Sequence, residues 1–190
     1  HGKTQEEHDC RLKAVLKRLE EAGATLNAEK CEFSKKEVKF AGYVLNEEGI
    51  KSDREKTESI QDMDTPQNVI DVRRFLGMVN QLGKFLPHLA EKTKPIRDLL
   101  NTKDEFLWGP TQWDAFEKLK KELTSTPVLV HYDPARKTIL SVDASSYELG
   151  AVLLQEQENG AWKSVAYASR STTSTEQRYA QIEKETLATT

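Results

Sequence analysis

The spacing of apolar residues changes near Pro134, and this change constrains the fold more than any other feature of the sequence. Before it, apolar residues recur every three or four positions, as on one face of a helix. After it, residues 138–144, 149–155 and 162–168 are rich in β-forming residues, and Asn159-Gly160 predicts a hairpin turn. The sequence therefore predicts an α/β protein of the mixed α+β kind, with a final part, residues 137–190, arranged β-β-β-α.

Helix-capping residues divide the chain further. Thr4 predicts the start of an N-terminal helix, and Ser52 predicts a short helix that reaches about residue 63. Two helices are expected within residues 69–100, and the apolar face of the first consists of Val72, Phe75, Leu76, Val79 and Leu82. Another helix is expected around residues 113–123, with the apolar residues Trp113, Phe116, Leu119 and Leu123. Thr173, with Glu176 three positions later, predicts the last helix.

Strands are predicted over residues 25–33 and 38–45, with a turn at residues 46–49. The β-rich end of the chain is small, because three strands and one helix bury little surface. Residues 137–190 are therefore either an unfinished domain or lean on the helices that precede them.

Charge is unevenly distributed. The chain has 190 residues and a net charge of -3, yet residues 71–103 contain seven basic and only three acidic residues. Either a solvated helix face or contact with phosphates explains this excess. No run of about 18 uncharged apolar residues exists, so the sequence predicts no membrane-spanning helix and no membrane partner.

Asp143 is the residue that most directly indicates chemistry, because an acidic residue in an apolar strand is costly unless it binds something. Glu183 and Glu185 follow about forty residues later on a predicted helix. Carboxylates converging from a strand and a helix suit Mg²⁺ or Mn²⁺, and paired ions about 3.5–4 Å apart hydrolyse phosphodiesters. The alternative is that Asp143 only caps a turn at the end of its strand.

Several segments resemble gypsy-type long-terminal-repeat retrotransposon pol polyproteins. Three resemble the start of ribonuclease H: residues 143–155 (DASSYELGAVLLQ), 165–170 (VAYASR) and 177–188 (QRYAQIEKETLA). Five resemble the preceding reverse transcriptase: residues 26–33 (LNAEKCEF), 38–45 (VKFAGYVL), 75–87 (FLGMVNQLGKFLP), 113–120 (WDAFEKLK) and 126–129 (TPVL). The resemblance covers nearly the whole chain in the family's order.

The resemblance implies four regions. Residues 1–62 resemble the end of the polymerase palm with its primer-grip hairpin, and residues 63–105 the helical thumb. Residues 106–136 resemble the connection segment, and residues 137–190 the N-terminal half of ribonuclease H. The implied function is an RNA-directed DNA polymerase that also hydrolyses the RNA strand of RNA–DNA hybrids.

By motif, Asp143 matches the family's first metal-binding aspartate, and Glu185 matches the helical glutamate better than Glu183. These two residues are the predicted catalytic and metal-binding residues, with two Mg²⁺ or Mn²⁺ ions expected in a complete site. The family's other ribonuclease H aspartates are expected after residue 190, and its polymerase aspartates before residue 1. The isolated chain is therefore expected to be inactive, with the rest of the pol polyprotein on both sides.

The resemblance also implies contacts with an RNA–DNA hybrid and with template-primer nucleic acid. In the primer-grip hairpin, Gly42 allows close approach and Tyr43 is expected to pack on a sugar or base, although an ordinary hairpin with a packed tyrosine explains both. The thumb residues expected to contact phosphate or the minor groove are Arg73, Arg74, Asn80, Gln81 and Lys84. Gly77 and Gly83 are costly inside helices, so either nucleic acid or helix packing requires them.

One residue departs from the family pattern. Glu148 occupies a turn position where the family commonly has glycine, and a positive φ there would cost about 1 kcal/mol. The departure motivates a second hypothesis, a domesticated or decayed copy that only binds nucleic acid or a partner.

The resemblance also implies a location. The expected location is the cytoplasm, in virus-like particles, with the nucleus as a further site.

Overall fold

The structure is a computed structural model that describes residues 2, 4–101 and 105–190. Lys103, the last residue of the predicted basic stretch, lies outside the described residues. The chain divides into two compact units, residues 1–35 and residues 36–190. The predicted boundaries of the four regions stay predictions.

The first unit contains helix α1 (Gln5–Glu21), which begins as predicted. Thr4 Oγ1 accepts a hydrogen bond of 3.2 Å from the backbone N–H of Glu7. The strand expected over residues 25–33 is wrong, since the structure has a 3-10 turn at Ala28–Lys30. Asn27 starts that turn by accepting from the N–H of Glu29 at 3.0 Å, and such local side-chain bonds compete with extended structure.

The second unit begins with an antiparallel sheet of β1 (Val38–Phe40), β2 (Tyr43–Asn46) and β3 (Gly49–Ser52). Ala41 and Gly42 join the first two strands with φ values of 51° and 82°. Two successive positive φ angles give the tight hairpin turn that follows the twist of the strands. The sequence predicted the turn before β3 but missed β3 itself.

Four helices follow: α2 (Arg54–Gln61), α3 (Val69–Gln81), α4 (Leu89–Arg97) and α5 (Pro110–Thr124). The N-cap of α2 is Asp53, one residue later than predicted. Their apolar faces, with the segments that join or follow them, form one core: Ile60, Val72, Phe75, Leu76, Val79, Leu82, Phe85, Leu86, Leu89, Ile96, Phe116, Leu119, Leu123 and Leu129. Trp113, predicted for the apolar face of α5, is instead 47% exposed.

The β-rich end forms a second antiparallel sheet, in the order β4 (Thr138–Ala144), β5 (Glu148–Glu156) and β6 (Trp162–Ser171). Helix α6 (Gln181–Ala188) follows. The predicted bonds between Thr173 and Glu176 form, at 3.2 and 2.7 Å, but they start a 3-10 turn at Glu176–Arg178. The fold is therefore the predicted mixture of helices and sheets, with the final helix displaced toward the C-terminus.

A short segment joins the two sheets of the second unit. Leu129 exchanges two backbone hydrogen bonds with Ile50 of β3, at 2.7 and 3.0 Å, and the N–H of Val130 donates to the carbonyl of Ser164 on β6 at 3.0 Å. Tyr167 of β6 packs against the helical core. Residues 137–190 therefore lean on the helices that precede them.

None of the helices in the described part of the chain combines the length and apolar character that a membrane span requires.

Candidate functional site

Asp143 lies near the end of β4, opposite Gly150 of β5. Its side chain is exposed. The turn that follows β4 is held by Ser145, whose Oγ accepts from the N–H groups of Tyr147 and Glu148 at 3.2 and 3.0 Å. Because Ser145 performs the capping, the turn does not need the carboxylate of Asp143 as its cap.

Helix α6 brings Glu185 toward the same strand end. The amide nitrogen Nε2 of Gln181 donates to the carbonyl of Ala144 at 2.6 Å and to Glu185 Oε1 at 3.5 Å. The second distance is at the long limit of a hydrogen bond, so the contact with Ala144 is the stronger of the two. One side chain thus links the exposed carboxylate of Glu185 to the residue next to Asp143.

Glu183 points elsewhere. Its Oε2 accepts from the backbone N–H of Ala180 at 2.8 Å, so the carboxylate turns back to cap the start of α6. Glu185 lies one helical turn after Gln181, at the i+4 position that shares its face of the helix. The geometry favours Glu185 over Glu183 as the partner of Asp143, and their role as metal ligands stays a prediction.

A cavity of about 150 Å³ adjoins Asp143. It is bordered by β4 and β5, with Gly150 in its wall, and by Tyr167 and His88. A Cβ atom at Gly150 would lie 3.5 Å from His88 Nδ1, so this imidazole is directly above the strand. The exposed carboxylates of Asp143 and Glu185 are oxygen donors of the type that Mg²⁺ and Mn²⁺ prefer, and they fit the metal ions that the sequence predicts.

The predicted primer-grip hairpin packs on the end of α3. The hydroxyl of Tyr43 donates to the carbonyl of Gln81 at 2.8 Å, and Gln81 Nε2 donates to the carbonyl of Ala41 at 3.4 Å. A Cβ atom at Gly42 would lie 2.8 Å from Gln81 Nε2. Both Gly42 and Tyr43 are therefore used in packing within this chain, and their predicted contact with nucleic acid stays a prediction.

Lys84 covers the ring of Tyr43. Its Nζ lies 3.4 Å from the ring centroid, a cation–π contact, and Phe85 packs against the same tyrosine at 5.8 Å. Partial burial removes water from the ammonium group and lowers the pKa of Lys84 from its ordinary value. Lys84 is less exposed than the arginines of α3, and its predicted contact with nucleic acid stays a prediction.

The exposed face of α3 carries the remaining predicted contacts. Arg73, Arg74, Asn80 and Gln81 are all exposed. Among the described residues, Arg74 makes a long ion pair, 3.8 Å, with Asp71. Gly77 lies on this face, and a Cβ atom there would meet no atom within 4 Å. Packing within the chain therefore does not require glycine at position 77, although the glycine weakens the helix.

Gly83 differs from Gly77. A Cβ atom at Gly83 would lie 2.8 Å from Leu89 Cδ2, so helix packing explains this glycine. The sequence left two explanations open for these glycines, helix packing and contact with nucleic acid. Helix packing applies at Gly83, whereas the space above Gly77 is open and contact with nucleic acid there stays a prediction.

Glu148 does not have the positive φ angle that would strain it. The described non-glycine residues with positive φ are Ser34, Ala41 and His88, and Glu148 is not one of them. It begins β5 as an ordinary strand residue. The backbone at Glu148 therefore gives no support to the hypothesis of a decayed copy.

Residues 108–190 match the RNase H-like domain found in reverse transcriptase. Over 188 residues the chain is 37% identical to the Transposon Tf2-3 and Tf2-4 polyproteins of Schizosaccharomyces pombe, a match that covers 99% of this chain. The chain belongs to the gypsy-type retrotransposon polyproteins. It spans 14% of the length of these relatives.

Solved structures of reverse transcriptases have a similar fold. A foamy viral protease-reverse transcriptase in complex with an RNA/DNA hybrid superimposes on the present chain with a TM-score of 0.81 and 25% sequence identity. The match covers 100% of the present chain and 26% of the foamy viral chain. A foamy viral protease-reverse transcriptase in complex with dsDNA gives a TM-score of 0.77 and 26% sequence identity. That match covers 97% of the present chain and 38% of the foamy viral chain. The two units therefore have the fold of a reverse transcriptase segment.

Sequence reasoning missed Gln181, which links Ala144 to Glu185 in this retrotransposon chain. Its position four residues before Glu185 places both side chains on one face of α6, and that spacing was the available signal. The bond from Gln181 to the carbonyl of Ala144 joins residues far apart in the chain, so no local pattern predicts it.

Proposed function

We propose that this chain is part of an RNA-directed DNA polymerase and ribonuclease H that binds RNA–DNA hybrids and hydrolyses their RNA strand. The observation that carries the proposal is the link through Gln181, which holds Glu185 beside the end of β4 where Asp143 is exposed. The retrotransposon family and the RNase H-like match over residues 108–190 support it.

In this proposal Asp143 and Glu185 each offer a carboxylate to the metal site. Bound Mg²⁺ or Mn²⁺ ions would activate water and stabilise the leaving oxygen of the phosphodiester. Gln181 is a positioning residue, because its amide fixes the start of α6 against β4. The exposed location of both carboxylates gives a bulky hybrid access to them.

The exposed face of α3 is the proposed hybrid-binding surface, formed by Arg73, Arg74, Asn80 and Gln81 on either side of Gly77. Arginine side chains contact phosphates without reading sequence, which suits an enzyme that must accept any template. The space above Gly77 allows the nucleic-acid backbone to approach the helix closely. A foamy viral relative of similar fold is known in complex with an RNA/DNA hybrid, which supports this type of partner.

The test is cleavage of a labelled RNA strand in an RNA–DNA hybrid with Mg²⁺ or Mn²⁺. This chain is compared with a polypeptide extended along its reading frame to the length of the relatives' reverse transcriptase and ribonuclease H region. We expect cleavage by the extended polypeptide and little or none by residues 1–190 alone. The extended polypeptide is also expected to copy a primed RNA template into DNA.

A folded extended polypeptide that binds the hybrid but neither cleaves nor copies would overturn the catalytic proposal. It would favour the alternative, a copy whose remaining role is binding.

We propose that the active protein is located in cytoplasmic virus-like particles and in the nucleus. Fractionation of cells that express a tagged polyprotein tests that location.

A further inference from the structure

The N-terminus of α4 is capped by the sheet rather than by its own sequence. His88, which precedes the helix, has a φ of +55° and makes no capping bond through its side chain. Instead, Ser169 Oγ accepts from the N–H of Ala90 at 3.0 Å, and Glu148 Oε2 accepts from the N–H of Glu91 at 2.8 Å. Capping therefore accounts for one oxygen of Glu148 and leaves the other unexplained.

The second oxygen, Glu148 Oε1, is buried and has no hydrogen-bond partner among the described residues. The side chain as a whole is only 2% exposed. A buried carboxylate oxygen without a partner is costly, because nothing replaces the water it has lost. His88 and Glu91 each offer a further ligand atom, and the three ligand atoms lie within 4.8 Å of one another.

We propose that His88, Glu91 and Glu148 bind one divalent transition-metal ion, with Zn²⁺ the best fit. One imidazole nitrogen and two carboxylate oxygens are typical zinc ligands, whereas Mg²⁺ and Ca²⁺ prefer oxygen ligands alone. Tetrahedral zinc with bonds of about 2.0–2.1 Å brings its ligand atoms to about 3.4 Å from one another. His88 and Glu91 are exposed and free to close that distance, while the N–H of Glu91 holds Glu148 in place.

The surroundings allow a cation to enter. A cavity of about 440 Å³ beside His88 and Glu91 leaves the fourth coordination position open to water. Lys92 borders this cavity, but its ammonium is paired with Glu122 at 2.5 Å. The helix N-terminus carries about half a positive charge, which is outweighed by the two full negative charges of the carboxylates.

A bound ion would join α4 to β5, and so the helical part of the second unit to its ribonuclease H-like sheet. The cluster contains neither Asp143 nor Glu185, although His88 also borders the small cavity that adjoins Asp143. Any ion that binds the folded chain and not the unfolded chain raises the unfolding temperature as its concentration rises. The site therefore has a readout that requires no enzymatic activity.

The experiment is a titration of the full chain with ZnCl₂ by calorimetry, together with its unfolding temperature. We expect one zinc ion per chain, a higher unfolding temperature with ZnCl₂, and much weaker binding of MgCl₂. His88→Asn and Glu91→Gln each remove one ligand on an exposed side chain and should weaken zinc binding by about 10- to 100-fold. Glu117→Gln, an exposed residue of α5 with the same charge change, should leave the affinity unchanged.

Two further variants separate this site from others. Asp143→Asn should bind zinc as the unchanged chain does, because Asp143 is outside the cluster. Glu148→Gln should lose zinc binding while the circular dichroism of its helices is retained. Absence of zinc binding by the unchanged chain, or binding that survives both His88→Asn and Glu91→Gln, would overturn the proposal.

Discussion

Gly77→Ala tests whether the exposed face of α3 is held open for nucleic acid. Gly77 lies inside the helix, and its added Cβ would meet no atom within 4 Å in this chain. The substitution therefore changes two properties in opposite directions. It should stabilise the folded chain and weaken its binding to a hybrid.

The magnitudes follow from the local structure. Alanine inside an exposed helix is more stable than glycine by about 1 kcal/mol, which for a chain of this length raises the unfolding temperature by about 2–4 °C. If the nucleic-acid backbone occupies the space above Gly77, the added methyl group is overpacked at a cost of about 1–3 kcal/mol. That cost corresponds to about a 5- to 150-fold weaker Kd.

Fluorescence anisotropy with a labelled RNA–DNA hybrid measures the Kd, and thermal unfolding by circular dichroism measures stability. Gly83→Ala is the matched control, because its Cβ would lie 2.8 Å from Leu89 Cδ2 and should bring no gain in unfolding temperature. A Gly77→Ala chain that is more stable and binds the hybrid with unchanged Kd would refute the proposed close approach.

Three further predictions concern the sheets and α6. Gly49→Ala should lower the free energy of unfolding by about 2–4 kcal/mol. The reason is that Gly49 has a φ of +144° and an added Cβ would lie 2.1 Å from the carbonyl oxygen of Leu129. Urea unfolding measures this loss, and unchanged stability would contradict the bridge between the sheets. Hydrogen bonds from Arg170, and then those with Thr173, lower the pKa of Glu176 to about 2. Arg170→Gln should therefore raise that pKa part of the way toward 4.5, and carbon NMR measures the change. Because the folded pKa is the lower one, any stability from this pair is present above about pH 4.5 and is lost as the pH falls toward 2. Gln181→Ala should reduce cleavage by the extended polypeptide while hybrid Kd stays the same, and equal cleavage rates would remove its positioning role.

Periodicity and capping residues predicted much of the fold. The apolar stripe of α3 (Val72, Phe75, Leu76 and Val79) is buried as expected, because helical spacing alone decides which face meets the core. The bounds of β4 match the prediction. These elements are determined by residues close in sequence, which is why the sequence was sufficient.

The errors occurred where distant residues or competing local bonds decide the structure. Strand β3 is fixed by pairing with β2 and with Leu129, far along the chain. The expected strand over residues 25–33 does not form, because the side chain of Asn27 caps a local 3-10 turn instead. In the candidate site, sequence motifs predicted Asp143 and Glu185. The link through Gln181 depends on tertiary packing, which no local sequence pattern predicts.

The most direct test of the catalytic proposal compares four forms of the extended polypeptide: unchanged, Asp143→Asn, Glu185→Gln and Glu183→Gln. Each is assayed for hybrid cleavage with Mg²⁺ or Mn²⁺ and for hybrid Kd. We expect Asp143→Asn and Glu185→Gln to abolish cleavage with little change in Kd, and Glu183→Gln, the matched control two residues away, to retain most of it. Full cleavage by Asp143→Asn, or loss of cleavage only in Glu183→Gln, would contradict the account.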